Sequence, residues 1–146
     1  MTNTPYGNGD ASFLAAGGIE GLETLVKHFY KAMHTLPQAE KIKSMHTDPW
    51  DMSHDKLTRF LSMWLGGPKD SYREKYGPIR IPMAHQHLNI GEEERDVWLL
   101  CMEKALKHVD YADDFKVYLL EQLAIPAERI RQVSQKRIKH ETESIS

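Results

Sequence analysis

The sequence has one cysteine, no long apolar run and little net charge, and each shortage argues against a class of protein. Cys101 has no partner for an internal disulfide, which fits a reducing compartment. The formal net charge is −2 over 146 residues, so composition favours neither a nucleic-acid nor a membrane partner. Residues 1–9 have neither a basic start nor an apolar stretch, unlike a signal peptide or a membrane anchor. We therefore expect a cytoplasmic protein.

Helical periodicity is what the sequence does contain. Between Gly17-Gly18 and Pro37, apolar residues recur every three or four positions, which predicts an amphipathic helix over 19–36. The same spacing predicts three more long helices, at 51–65, at 92–109 and from Asp113 onward. Shorter helical segments are expected at 38–45 and, as a single turn, at 83–88. We find no convincing strand, so the predicted fold class is all-α.

Local signals predict where these helices begin and end. Asp51 or Ser53 is a suitable N-cap for the second long helix, and Gly66-Gly67-Pro68 is a strong stop signal for it. Three prolines in or beside residues 69–82 predict a loop there. Pro126 is expected to kink or divide the last helix.

The ends of the chain are polar, which predicts a single domain between two loose termini. We expect a flexible leader over 1–10, one domain over 11–136 and a flexible tail over 137–146.

Two histidines have a setting that favours a metal role, namely His85 and His87 between a proline-rich loop and a long helix. Residues two apart on a helix point about 200° apart, so only one of the pair can face a given cofactor. Zinc needs further cysteine or histidine ligands nearby. A di-iron bundle needs paired Glu-x-x-His motifs, which the sequence does not contain. A single axial histidine on haem needs no second protein ligand, so haem is the metal site that the sequence permits.

Several short segments, taken in order, resemble the group II truncated haemoglobins. They are Phe29-Tyr30, Phe60-Leu61, Gly66-Gly67-Pro68, Tyr76-Gly77-Pro78, His85 five residues before Ile90-Gly91, and the run from Glu94 to Met102. The resemblance implies a shortened globin fold, in which two pairs of helices form a two-over-two sandwich around haem b. In that frame the four long helices are B, E, G and H.

The resemblance also assigns the residues around the iron. It implies that the proximal ligand is His85 and leaves His87 without a ligand role. On the distal side it implies that Tyr30 and Trp98 stabilise the bound ligand. The position after helix C, commonly phenylalanine or tyrosine in the family, falls on His46.

The remaining pocket residues follow in the same way. The resemblance places Ser53, Leu57, Phe60 and Phe29 in the distal pocket. Relatives often carry arginines one and three residues before the proximal histidine, where this chain has alanine and proline. The haem propionate must then be held elsewhere, and the candidates are Arg80, Tyr72 and Lys56.

The implied function is reversible binding of dioxygen, carbon monoxide or nitric oxide. Bound dioxygen carries partial negative charge, which hydrogen-bond donors stabilise. The alternative is a haem enzyme for nitric oxide dioxygenation or peroxide reduction. Such an enzyme would need a separate electron donor, such as a reductase, because the sequence has no reductase domain. Both a monomer and a homodimer are compatible with the sequence.

Overall fold

A computed structural model describes residues 6–46, 48–68, 71–77 and 89–145, with side chains described as far as residue 136 except at position 71. Seven α-helices and one 3-10 helix lie in these ranges, which contain no strand. They are α1 (Ala11–Ala15), α2 (Gly18–Thr35), the 3-10 helix (Pro37–Ala39), α3 (Glu40–Ser44), α4 (Trp50–Trp64), α5 (Ser71–Tyr76), α6 (Glu92–Leu106) and α7 (Asp113–Ile145). None of these helices is both long enough and apolar enough to cross a bilayer.

Helix α2 forms the centre of the fold. The apolar face predicted from spacing is fully buried, with Leu22, Leu25, Val26 and Phe29 at 0% exposure. Burial of each such side chain contributes about 1.5–3 kcal/mol relative to leaving it in water. The helix packs against α4 on one side and α6 on the other, and α6 packs against α7. Two helix pairs, α2 with α4 and α6 with α7, therefore enclose the core.

A close backbone approach fixes the corner between α1 and α2. The hydroxyl of Tyr111, which precedes α7, donates a hydrogen bond to the carbonyl of Ala16 at 2.8 Å. A Cβ atom on Gly21 would lie 1.9 Å from that same carbonyl oxygen. Only glycine fits at position 21, because any side chain would push this corner away from Tyr111.

The predicted end of α4 is confirmed, but its predicted cap is wrong. The helix ends at Trp64, and Gly66 follows with a φ of +96°, a conformation that favours glycine. At the other end the helix begins at Trp50 after Pro49, and no side chain caps it. Neither Asp51 nor Ser53 acts as the N-cap, because both lie inside the first turn.

Two further expectations about helix boundaries are corrected by the structure. The predicted loop at 69–82 contains helix α5, whose Tyr76 hydroxyl donates to Asp55 of α4. Pro126 does not divide the last helix, since α7 continues through it. Its neighbours Leu123 and Ala127 are buried, and this packing outweighs the hydrogen bond that proline removes. The predicted turn at 83–88 lies outside the described residues.

The N-terminal segment contacts the helices from residue 6 onward. The Tyr6 ring packs against Phe115 and Tyr118 of α7, with centroids 5.1 and 5.2 Å away. Its hydroxyl donates a hydrogen bond to Asp114 at 3.0 Å. At the opposite end, the backbone of α7 is helical to Ile145. The domain limits that we expect at 11 and 136 stay predictions.

Candidate functional site

Tyr30 is the most buried polar ring of the candidate site. It projects from α2 with 5% of its surface exposed, and its hydroxyl donates a hydrogen bond to the Ser53 carbonyl of α4 at 3.3 Å. Burial raises the pKa of Tyr30 well above its ordinary value, and the negative charge of Asp48 raises it further. The side chain is therefore a neutral phenol, and thus a hydrogen-bond donor, at physiological pH.

A stripe of three residues on one side of α4 begins with the polar Ser53 and continues with two apolar side chains. Leu57 and Phe60 follow it at spacings of four and three, so the three residues lie along one side of the helix. Ser53 is buried at 7% exposure, whereas Leu57 and Phe60 pack against the core and stay partly exposed. This side of α4 therefore presents an apolar wall, formed by Leu57 and Phe60, that the other described residues cover only in part.

Phe29 lies between the two side chains that we expect to stabilise the ligand. Its ring centroid is 5.0 Å from that of Tyr30 and 5.0 Å from that of Trp98 on α6. Phe29 is fully buried and Trp98 is partly exposed. The structure thus brings Tyr30 and Trp98 to the same region, through the packing of α2 on α6.

His46 also lies beside Tyr30, with the two ring centroids 5.8 Å apart. Its Nδ1 is 2.8 Å from the carbonyl of Ile42. A carbonyl only accepts hydrogen bonds, so Nδ1 carries the proton and the neutral ring keeps its lone pair on Nε2. The predicted grouping of Tyr30 and His46 is present in the structure, while their roles toward a ligand stay predictions.

Two side chains of this region were missed by the sequence interpretation. The His54 ring stacks on Tyr30 at 4.6 Å, and Trp50 contacts Tyr30 at 5.7 Å. Burial lowers the pKa of His54, as does the charge of His34, while Asp51 opposes the shift. In the sequence, only their positions could have indicated this proximity: Trp50 and His54 are four residues apart on α4 and flank Ser53.

The predicted iron ligand lies outside the described residues. His85 and Arg80 both fall in the range 78–88, as does His87. Their assigned roles, as proximal ligand for His85 and as propionate contact for Arg80, stay predictions.

The other two propionate candidates lie where α4 meets α5. The Lys56 ammonium donates a hydrogen bond to Asp48 at 2.8 Å and lies over the Tyr76 ring at 5.2 Å. Tyr72 packs against the same Tyr76 ring, 5.2 Å away. Lys56 is therefore already held by a carboxylate, and a propionate would have to share it with Asp48.

The described residues hold no alternative metal centre of the usual kind. No three histidine, cysteine or carboxylate side chains in these ranges form a group that could hold an ion. Cys101 is fully buried in α6, and burial raises its pKa to about 11. It is thus a small core residue and not a reactive thiolate.

Comparison with known proteins decides the family. The bacterial-like globin model matches residues 12–131. A curated relative, the group 2 truncated hemoglobin YjbI of Bacillus subtilis (strain 168), is 31% identical over 127 residues, which make up 86% of each chain. The chain belongs to the bacterial-like globins, as a group II truncated haemoglobin.

Solved structures agree with this assignment. The group II 2-on-2 hemoglobin of Agrobacterium tumefaciens matches with a TM-score of 0.75 at 29% identity, covering 82% of this chain and 92% of that one. A truncated oxygen-avid haemoglobin from Bacillus subtilis matches with a TM-score of 0.72 at 28% identity, covering 82% and 97%. The predicted family and the predicted all-α, two-over-two globin fold are confirmed.

Membership of a globin family implies that the chain binds haem, and the described side chains fit that group. Leu57, Phe60 and Trp98 are large apolar side chains that flank the core without being fully covered. Such incompletely covered apolar walls are typical of sites for large apolar ligands. Tyr30, which is hydrogen-bonded to the Ser53 carbonyl on the same helix as Leu57 and Phe60, adds a neutral donor. Globins bind small gaseous ligands such as dioxygen, and this chemistry suits a site with apolar walls and few donors.

Proposed function

We propose that this truncated haemoglobin binds haem b through His85 and that the haem reversibly binds dioxygen, carbon monoxide or nitric oxide. In this proposal it is a cytoplasmic oxygen-binding protein that serves in oxygen transport or storage. The observation that carries the proposal is the placement of Tyr30, which is buried, neutral and packed between Phe29 and His54.

The hydrogen bond that Tyr30 makes in the structure supports a role as donor to a ligand. At 3.3 Å it is longer than the 2.7–2.8 Å typical of O–H···O bonds, and its acceptor is a backbone carbonyl. A carbonyl at a residue inside α4 already accepts a helical N–H, so the bond from Tyr30 is a second one. The phenol can therefore turn toward bound dioxygen at little cost. Partial negative charge on the outer oxygen atom would make it the better acceptor.

Trp98 and His46 are the other two candidate donors to the ligand. Trp98 offers an indole N–H, and the neutral His46 ring in its present tautomer offers only the N–H that Ile42 already accepts. His46 would have to change its tautomer or give up that bond to donate to a ligand. We therefore rank Trp98 above His46 as the second donor.

Absorption spectroscopy on the purified protein tests the proposal. We expect a strong Soret band, a reversible spectral change on adding and removing oxygen, and slow oxygen release. A haem-loaded protein that is oxidised at once by oxygen, without a reversible complex, would contradict reversible binding. A protein that takes up no haem would contradict the whole proposal.

The second candidate function is peroxide reduction at the same haem, and a specific feature favours it. Tyr30 is in ring contact with Trp50, a second oxidisable side chain, which is partly exposed at the surface. Parallel measurement of oxygen release and of turnover with peroxide or nitric oxide separates the candidates. Fast turnover with a supplied electron donor favours the enzyme, and slow release with little turnover favours the carrier.

A further inference from the structure

A set of five aromatic rings connects the candidate pocket to the protein surface. We call it the Trp50 cluster, and it consists of Tyr30, His34, His46, Trp50 and His54. Trp50 lies at its centre, with ring centroids 5.7 Å from Tyr30, 5.1 Å from His46 and 4.4 Å from His34. Tyr30 is buried, Trp50 is partly exposed and His34 is exposed. The cluster therefore runs from the buried phenol to solvent.

Tyrosine and tryptophan are the side chains of this cluster that give up one electron most readily. The other two tryptophans of the chain have different surroundings. Phe29 separates Trp98 from Tyr30, and Phe60 is the ring stacked on Trp64. Phenylalanine is much harder to oxidise than either tyrosine or tryptophan. Among the ring contacts of the described residues, Trp50 is thus the tryptophan in direct contact with Tyr30.

We propose that Trp50 is the surface site at which a phenolic reductant is oxidised when the haem-loaded protein reacts with hydrogen peroxide, with Tyr30 relaying the oxidation. The proposal rests on the proposed function, since it requires haem next to Tyr30. The haem, when bound, supplies the peroxide reduction, which takes up two electrons and two protons per peroxide and yields two waters.

Each electron then passes through the protein with a proton. The Tyr30 O–H bond breaks, one electron and one proton leave, and a phenoxyl radical stays on the ring. Trp50 returns one electron and the proton of its indole N–H, which restores the Tyr30 hydroxyl and leaves an indolyl radical. A phenol at the surface gives its hydrogen atom to Trp50 and departs as a phenoxyl radical. Two rounds balance one peroxide: H2O2 plus two phenols gives two waters and two phenoxyl radicals.

The histidines of the cluster provide a place for the proton during these steps. The Ser53 carbonyl, the present partner of the Tyr30 hydroxyl, is not a base. In the neutral His46 ring the lone pair lies on Nε2, because the carbonyl of Ile42 accepts the hydrogen bond from Nδ1–H. Partial desolvation lowers the pKa of His34, and the charge of Lys43 lowers it further, so the neutral form of the ring beside Trp50 is favoured. A neutral surface of this kind suits an uncharged phenol.

Trapping the radical tests the proposal without depending on turnover. The haem-loaded protein is treated with one equivalent of hydrogen peroxide in the presence of a nitroso spin trap, and the modified residue is identified by peptide mass spectrometry. We expect the adduct on Trp50 in the wild type. In Trp50→Phe the adduct should move to Tyr30, and in Tyr30→Phe the Trp50 adduct should disappear. Soret intensity and circular dichroism confirm that each variant is folded and loaded.

Trp64→Phe is the matched control, since Trp64 is another partly exposed tryptophan of α4. It should leave the Trp50 adduct in place, and it should leave the rate of guaiacol oxidation within about twofold of wild type. Trp50→Phe should lower that rate at least fivefold. An adduct on Trp64 or Trp98 with Trp50 unmodified would overturn the proposal, as would a wild-type protein that forms no protein radical. A protein without a Soret band has taken up no haem, and this result refutes the proposed function. A protein with a normal Soret band but no Trp50 adduct refutes the Trp50 proposal alone.

Discussion

Replacement of Tyr30 by phenylalanine removes a single oxygen atom from the centre of the candidate site. The ring, its stacking on His54 at 4.6 Å and its contact with Phe29 at 5.0 Å are kept by the variant. What it loses is the hydroxyl, which is a donor to Ser53 in the structure and, in our proposal, to bound dioxygen.

The two roles of the hydroxyl predict effects of different size. Its bond to the Ser53 carbonyl is long, and that carbonyl keeps its helical partner, so we expect the free energy of unfolding to fall by less than about 1 kcal/mol. A neutral hydrogen bond to the ligand contributes about 0.5–1.5 kcal/mol, which corresponds to about a twofold to tenfold faster release of oxygen. Because burial raises the pKa of Tyr30, wild-type release should not change between pH 6 and 9 through loss of this donor.

Stopped-flow measurement checks the rate of oxygen release, and urea unfolding of the same samples checks the free energy of unfolding. Tyr118→Phe is the control, since Tyr118 is a partly buried tyrosine of α7 that contacts Tyr6 and Phe115 instead of the candidate site. It should leave oxygen release unchanged. If Tyr30→Phe releases oxygen at the wild-type rate, Tyr30 does not stabilise the ligand and the reasoning fails.

Two further predictions concern the scaffold. Burial pushes the pKa of Asp55 up, but hydrogen bonds from Lys75, Tyr76 and Arg59 outweigh it and lower the pKa to about 2. The stability that Asp55 contributes is therefore complete above its unfolded pKa near 4 and is lost as the pH falls toward 2. In urea unfolding, Asp55→Asn should have a lower free energy of unfolding than the wild type at pH 7, and this difference should disappear near pH 2. A difference that stays constant with pH would contradict this. Gly21→Ala should lower the free energy of unfolding by roughly 1–3 kcal/mol, because its Cβ would lie 1.9 Å from a backbone oxygen. Thermal unfolding measures this effect, and an unchanged melting temperature would contradict it.

Much of the fold could be predicted because its signals are local. The spacing of apolar residues in α2 and the glycines after α4 determine burial and helix ends through contacts within a few residues. The errors arose where distant parts of the chain decide the outcome. Helix α5 depends on contacts with Asp55 of α4, and Pro126 is tolerated in a helix that packs on α6 and whose residues Leu123 and Ala127 are buried.

The candidate site shows the same division. Tyr30 and Trp98 could be singled out through the family resemblance, and the structure brings both of them against Phe29. Trp50 and His54 carried no motif, since their proximity to Tyr30 follows from how α4 packs on α2. A ring contact between two helices is a property of three-dimensional packing, and the periodicity of either helix alone does not encode it.

The central claim, that this truncated haemoglobin holds haem through His85, is tested most directly by one pair of variants. The absorption spectra of His85→Ala and His87→Ala are compared with that of the wild type at equal protein and haem concentration. We expect His85→Ala to lose most of the Soret band, and His87→Ala to keep the wild-type spectrum. Loss of the band in His87→Ala, with His85→Ala unchanged, would contradict the assignment of the iron ligand.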